Sequence, residues 1–316
     1  MDRRIFLKAT GAAAVGMAAA RLLKATESDA LAAEACTWGK KGKADSEDRK
    51  KGHFTLKQLT SVTDTIGNSY ILRTSGGKVI VIDGGFETEQ ENLRANIAAE
   101  GNHVDLWFIT HPHQDHMGAF NEILKDRRGI VIDRIIYSRL PDDFLDYEKA
   151  NAEDARNYYK TIDSVTEGTD ILNLHRTGGR FDIDGIGIMV LGVSNPEYKK
   201  NPYNNSSMII RFWDKDKSVV ILGDSGIECG NKALAEYPEQ LNCDYMQMAH
   251  HGQNGCSEEF YKAVNFRACL WPTPSWVWEP APQHGHLKTR ETRRWMDEKG
   301  IKEHHVSCQE KDWALD

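Results

Sequence analysis

The feature that most constrains this chain is a dense run of metal-ligating side chains set hard against an apolar segment. Leu106-Trp107-Phe108-Ile109 is followed at once by Thr110-His111-Pro112-His113-Gln114-Asp115-His116-Met117-Gly118. An apolar run of that kind reads as a buried strand, so three imidazoles and one carboxylate fall in a tight loop at a sheet edge, where a metal site can stay open. Imidazole with carboxylate suits zinc first, and also iron or manganese. Four donors in six residues are too many for one ion, because Asp115 and His116 point away from the direction shared by His111 and His113. Two divalent ions are the natural solution. A merely solvated histidine cluster would more often sit in a tail than on a strand end.

This loop resembles the metal-binding loop of the metallo-β-lactamase superfamily. The resemblance implies an α/β fold, an αββα sandwich of two packed sheets with helices outside, and a hydrolytic dinuclear site at one edge. The second half of the chain narrows it. Gly178 to Leu191 reads as a hairpin; Asn204-Asn205-Ser206-Ser207-Met208-Ile209-Ile210 follows, then Ser218-Val219-Val220-Ile221-Leu222-Gly223-Asp224, then Met248-Ala249-His250-His251-Gly252, and last Gly285-His286. That order is similar to the metallo-β-lactamase-like domain of ComEC-type competence proteins and its stand-alone relatives, bacterial phosphorylcholine esterases among them. The resemblance spans Phe54 to Ile301, with two departures: Gln253 where relatives carry Ser, and Leu287 where they carry Pro.

These motifs suggest roles. Asp224 ends a β-branched strand, from which a carboxylate can reach and bridge two metals. One of His250 and His251 completes a metal shell; His250 is favoured, with the reverse order open, and the other is free to hold substrate or leaving group. His111 and His113 are then expected on one ion, Asp115, His116 and His250 on the other. Asp83, ending the apolar run Val79 to Ile82, is implied by the resemblance to orient a ligating histidine from behind. His251 or His286 can protonate a leaving oxygen. Asn205 is either a turn residue or a donor facing the site. Trp276 and Trp278, in a Pro-rich loop before a helix from Thr289, are either packing or aromatic faces able to hold a cationic head group. His175 lacks a flanking Gly or turn and reads as an extended residue rather than a ligand.

Residues 1–35 read as a twin-arginine signal peptide. Arg3-Arg4 precedes Phe6-Leu7-Lys8, a weakly apolar Ala/Gly run and small-x-small cleavage patterns follow, and the run is too polar for a spanning helix. Residues 36–52 read as a linker and 53–316 as one hydrolase domain. Removing the signal takes away Arg3, Arg4, Lys8, Arg21 and Lys24 against Asp2, Glu27, Asp29 and Glu34, so the formal charge of −7 becomes −8. A polynucleotide-binding face is usually basic, and none is evident. Six cysteines allow one or two bridges in an oxidising compartment but no scaffold.

Further elements follow from pattern. Ser69–Arg73 and Lys78–Asp83 read as a hairpin, Glu87–Glu100 as a helix burying Leu93 and Ile97, and 104–109 as the strand feeding the metal loop. A helix runs on from His116 to Leu124, a strand from Gly129 to Tyr137, and Asp142–Val165 forms a packed insertion of helical spacing.

The expectation is an exported dinuclear metallohydrolase, periplasmic or extracellular or held at the membrane by its signal, with no transmembrane helix in the mature chain. It would meet the twin-arginine export machinery and act on a small-molecule ester, foremost a phosphodiester. The alternatives are an acyl hydrolase (lactamase, lactonase or thioesterase), a metal-binding module without turnover, and a ComEC-like nuclease, which the acidic balance disfavours.

Overall fold

The computed structural model describes residues 37–38, 51–165 and 168–316. The signal segment and most of the linker lie outside these residues. The chain divides into residues 1–38 and 39–316, and the architecture below is that of the second unit.

Two mixed sheets make it up, each antiparallel at one side and parallel at the other. In the first, β1 (Phe54–Gln58), β2 (Ser69–Thr74), β3 (Val79–Asp83), β4 (His103–Phe108), β5 (Val131–Tyr137) and β6 (Asp170–Asn173) stand side by side in chain order, with β14 (Ala314–Leu315) outside β1. β1, β2 and β3 are antiparallel, whereas β3 to β6 are parallel. The second sheet runs through β7 (Gly179–Ile183), β8 (Ile186–Gly192), β9 (Ile209–Trp213), β10 (Ser218–Ile221), β11 (Tyr245–Gln247), β12 (Ala268–Trp271) and β13 (Glu303–Val306). It turns parallel from β10 onward.

Parallel strands are covered on both faces, which is why they read as unbroken apolar runs rather than alternating ones. Every residue of β3 and of β8 is buried. Phe108 of β4 meets Phe181 and Phe212 edge-on, at centroid distances of 6.3 and 5.9 Å. On the outer face of the first sheet, α1 (Gln90–Ala99), α2 (Gln114–Lys125) and α3 (Ala152–Asp163) bury Leu93, Ile97, Phe120, Ile123 and Tyr158. On the second, α4 (Ile227–Glu236), α5 (Glu258–Ala263) and α7 (Thr289–Lys299) bury Ala233, Phe260 and Met296, with α6 (Ser275–Trp278) between α5 and α7 in the chain. Each of the Leu, Ile, Phe and Met side chains among them contributes about 1.5–3 kcal/mol by leaving water. The layers are helix, sheet, sheet, helix, as the α/β sandwich reading expected.

Several expectations shift in detail. The metal motif is not wholly a loop: His113 is the residue before α2, and Asp115 and His116 lie in its first turn. Nothing after Pro112 breaks a helix, and an acidic residue in a first turn is favoured by the helix dipole. His175 lies beyond the end of β6 and is exposed, so it does not pair in the sheet. The five described cysteines, Cys229, Cys243, Cys256, Cys269 and Cys308, are unpaired. No helix among the described residues is long and apolar enough to cross a membrane.

Candidate metal centre

The C-terminal ends of two pairs of neighbouring parallel strands, one pair in each sheet, converge: β3 delivers Asp83, β4 leads to His111 and His113, β10 to Asp224, and β11 to His250 and His251. Open α/β sheets place ligand sites at such ends. Among the described residues, Asp115, His116, Asp224 and His251 present ligand atoms within 4.8 Å of one another, and His111, His113 and Asp224 form a second such group. Asp224 belongs to both. Its Oδ1 lies 3.1 Å from His116 Nε2. Its Oδ2 lies 3.4 Å from His251 Nε2, 3.7 Å from His250 Nε2 and 3.8 Å from His111 Nε2.

Three of the imidazoles are held from behind. His116 Nδ1 is 2.7 Å from Asp83 Oδ2, and the other oxygen of Asp83 accepts from the Thr110 amide at 2.7 Å. His251 donates from Nδ1 to the Pro272 carbonyl at 2.9 Å, leaving Nε2 2.9 Å from Asp115 Oδ2. His111 Nδ1 lies 3.1 Å from Thr110 Oγ1. A second partner that holds one ring nitrogen and leaves the other facing inward is the arrangement metal-ligating histidines need. His116 Nε2 and Asp224 Oδ1 are buried, lie 3.1 Å apart and make no well-directed hydrogen bond. Buried polar atoms are rarely orphaned. The donor set of imidazole and carboxylate therefore fits a pair of divalent ions.

The local backbone bears this out. Asp83, His250 and His251 have φ of +57°, +53° and +55°, a left-handed conformation that costs a non-glycine residue about 1 kcal/mol or more and persists only where the surroundings impose it. Gly252 continues the turn at φ +75°, and a Cβ there would sit 2.3 Å from the Trp271 ring.

Electrostatics divide the imidazoles. Burial, aided by the neighbouring His116 charge, holds His111 well below the usual histidine range. Burial works against the charged form of His116 too, but Asp224, Asp83 and Asp115 outweigh it and push it well up. Burial likewise opposes charge on His251, and Asp224 with Asp115 pushes it up to about 9. Burial raises Asp224, yet the surrounding histidines hold it well below the carboxylate range. In the metal-free chain, protons on His116 and His251 thus supply the positive charge that cations would replace.

The structure corrects several sequence expectations. His251, not His250, joins Asp115, His116 and Asp224. His250 instead lines a cleft of ≈ 590 Å³ with Lys200, Asn201, Ile227, Gln253, Asn254, Lys288 and others. Asn205 is fully buried and structural: its Nδ2 donates to the Lys200 carbonyl and Glu228 at 2.9 Å, and its Oδ1 accepts from Cys229 N at 3.1 Å. Trp278 is buried, edge-on to Trp271 and under the Arg293 guanidinium, so its faces are taken. Trp276 is exposed, but its Nε1 donates to the Asp64 carbonyl at 3.1 Å and it does not line the cleft. His286 is exposed, facing His284 rather than the cluster. Two outlying acidic groups, His53-Asp214-Asp216 and His103-Asp105-Asp133, each already hold a lysine, Lys217 and Lys78. Sequence reasoning missed Thr110, whose role is visible only once Asp83 packs beneath it, and Glu148, which approaches His113 from the inserted segment.

The sequence model described as the metallo-beta-lactamase superfamily matches residues 62–255. Among curated proteins, the exodeoxyribonuclease WalJ of Streptococcus pneumoniae serotype 2 (strain D39 / NCTC 7466) is 26% identical over 160 residues, 51% of this chain and 51% of that protein. The chain thus spans about half the length of the curated relatives it matches. Of solved structures, the metallo-beta-lactamase fold protein YhfI from Bacillus subtilis matches with a TM-score of 0.51 at 12% identity, covering 83% of this chain and 98% of that one. CmlA, a diiron beta-hydroxylase from Streptomyces venezuelae, matches with a TM-score of 0.51 at 14% identity, covering 83% and 54%. Both likenesses are of fold.

Proposed function

The chain belongs to the metallo-beta-lactamase superfamily of metal-dependent hydrolases, and from that premise we propose that it is a dinuclear phosphodiesterase. The observation that carries the dinuclear part is the position of Asp224, shared by the Asp115-His116-His251 group and the His111-His113 group. Two ions held there would polarise a phosphoryl oxygen and lower the pKa of water for in-line attack. We take zinc as the first candidate on the donor set; manganese and iron suit the same donors.

This chain's own residues do the rest. Asp83 and Thr110 hold His116 in one orientation, and the Pro272 carbonyl does so for His251. His250 sits between the cluster and the cleft, its Nε2 3.7 Å from Asp224 and 3.3 Å from Gln253 Nε2. Burial holds it below the usual histidine range despite Asp224, so near neutral pH it is uncharged and can take a proton from an oxygen entering from the cleft. Lys200 and Lys288 on the cleft wall offer charge to an anionic ester, among the carboxylates of Glu228, Glu258 and Glu259 on the same wall. The name of the WalJ relative, an exodeoxyribonuclease, supports phosphodiester chemistry, and it favours DNA as a second reading. The acidic balance of the chain favours a small diester over a polyanion. Of the two tryptophans that could face a cationic head group, Trp278 is buried beneath Arg293, and Trp276 stays exposed outside the cleft.

The test is hydrolysis by zinc-, manganese- and iron-loaded protein of bis-nitrophenyl phosphate, single- and double-stranded DNA, nitrocefin and a lactone. Turnover of small diesters above all others is expected. Faster turnover of DNA would move the substrate class to nucleic acid; cleavage of nitrocefin or lactone without any diester would make the protein an acyl hydrolase. We further propose export by the twin-arginine route, on the strength of Arg3-Arg4.

A further inference from the structure

Glu148 ends the 3-10 turn Leu145–Glu148, within the segment inserted between β5 and β6. Its Oε1 lies 2.5 Å from His113 Nε2, while the other nitrogen of that ring, Nδ1, lies 2.9 Å from His111 Nε2. A neutral imidazole carries one N–H and one lone pair. A carboxylate facing Nε2 calls the proton there, which leaves the Nδ1 lone pair turned toward the group formed with His111 and Asp224. The carboxylate is itself fixed in place. Asn151 Nδ2 donates to Oε1 at 2.7 Å and the Tyr203 amide to Oε2 at 3.4 Å. Tyr203 also ties the turn down, its hydroxyl donating to the Leu145 carbonyl at 2.9 Å, and its ring lies 5.3 Å from that of His113.

We propose that Glu148 is a positioning residue: it holds His113 as the Nε2–H tautomer, so that Nδ1 serves as ligand, and it thereby sets how tightly that half of the centre keeps its ion. The proposal rests on the two-ion reading above. Asp83 does the corresponding work for His116 from the end of a core strand. The two halves of the centre are therefore tuned from different parts of the chain, one from the sheet and one from the insertion. An outer carboxylate of this kind is typically worth about 10- to 100-fold in metal affinity.

The test uses the whole protein loaded with two equivalents of Zn²⁺, titrated with a competing chelator and followed by ¹⁵N-edited NMR of the histidine rings. In Glu148→Ala one equivalent should leave at about 10- to 100-fold less chelator while the other leaves as in the wild type, and His113 should lose its single tautomer. Glu148→Gln, whose amide oxygen can still accept from Nε2–H, should recover the tautomer and part of the affinity; it carries the test should the alanine variant fold poorly. Two ions leaving both variants at wild-type chelator concentrations, with the His113 tautomer unchanged, overturns the proposal alone. Complete loss of one ion even in Glu148→Gln overturns it too, by making Glu148 a ligand. A wild type that holds a single ion overturns it together with the dinuclear reading.

Discussion

His251 reaches Asp115 across 136 residues of sequence, Nε2 to Oδ2 at 2.9 Å, with neither residue exposed. That contact closes the Asp115-His116-Asp224 group and gives the two adjacent histidines different work.

His251→Ala is expected to lose about one metal equivalent per chain, because it removes an inward-facing nitrogen that the Pro272 carbonyl holds in place. His250→Ala should keep the wild-type metal content and lower kcat instead. Elemental analysis of the two purified variants separates the roles; the opposite pattern would restore His250 as the ligand.

Asp224→Ala should lose at least one ion and nearly all hydrolysis, since one carboxylate serves both groups. The wild type should bind close to two ions. Metal content of one per chain, unchanged in the variant, would remove the bridge.

The metal-free protein should lose stability as pH rises from about 6.5 through about 9. His251 is raised to about 9 by Asp224 and Asp115 against burial. The folded state therefore holds a proton that the unfolded chain releases near pH 6.5. That contribution is complete below about 6.5 and lost as pH rises through 9, on the order of 3 kcal/mol at most. Metal-loaded protein should lack this decline, because a ligating histidine has no proton to lose there. Denaturant midpoints of both forms between pH 6 and 10 check it; a flat metal-free profile would count against the charged His251.

Gly252→Ala should destabilise by about 1–3 kcal/mol and weaken metal binding with it. The new Cβ meets the Trp271 ring at 2.3 Å, and the backbone there has φ +75°. Thermal unfolding with and without zinc reads the two effects. A variant as stable as the wild type with full metal content would show that the turn can relax without moving His251.

Replacing Arg3-Arg4 by Lys-Lys should retain the precursor inside a host that has twin-arginine translocation. Fractionation of that host checks it. Export that persists, there or in a host lacking the pathway, would point to the general secretory route.

What the sequence by itself determined lies at strand ends. The histidines and carboxylates of His111, His113, Asp115, His116 and Asp224 follow apolar runs directly, so their placement is local: a buried strand that stops at a sheet edge puts its next few residues there whatever the rest of the chain does. Asp83 was legible for the same reason. The sandwich itself was implied by the resemblance that these motifs carry, while the hairpins and apolar runs marked single strands.

What only the tertiary structure decided depends on packing over long separations. His250 and His251 are neighbours with the same chemistry, and the choice between them turns on two successive left-handed residues and on Trp271 pressing against Gly252. Glu148 meets His113 because Tyr203, 55 residues further on, holds its turn in place. Trp278, Asn205 and His286 looked available in the chain, but Arg293 with Trp271, Cys229 with Glu228, and an outward-facing loop account for them instead. Side-chain type is written residue by residue. Which face of a ring or amide stays free is settled by what folds against it.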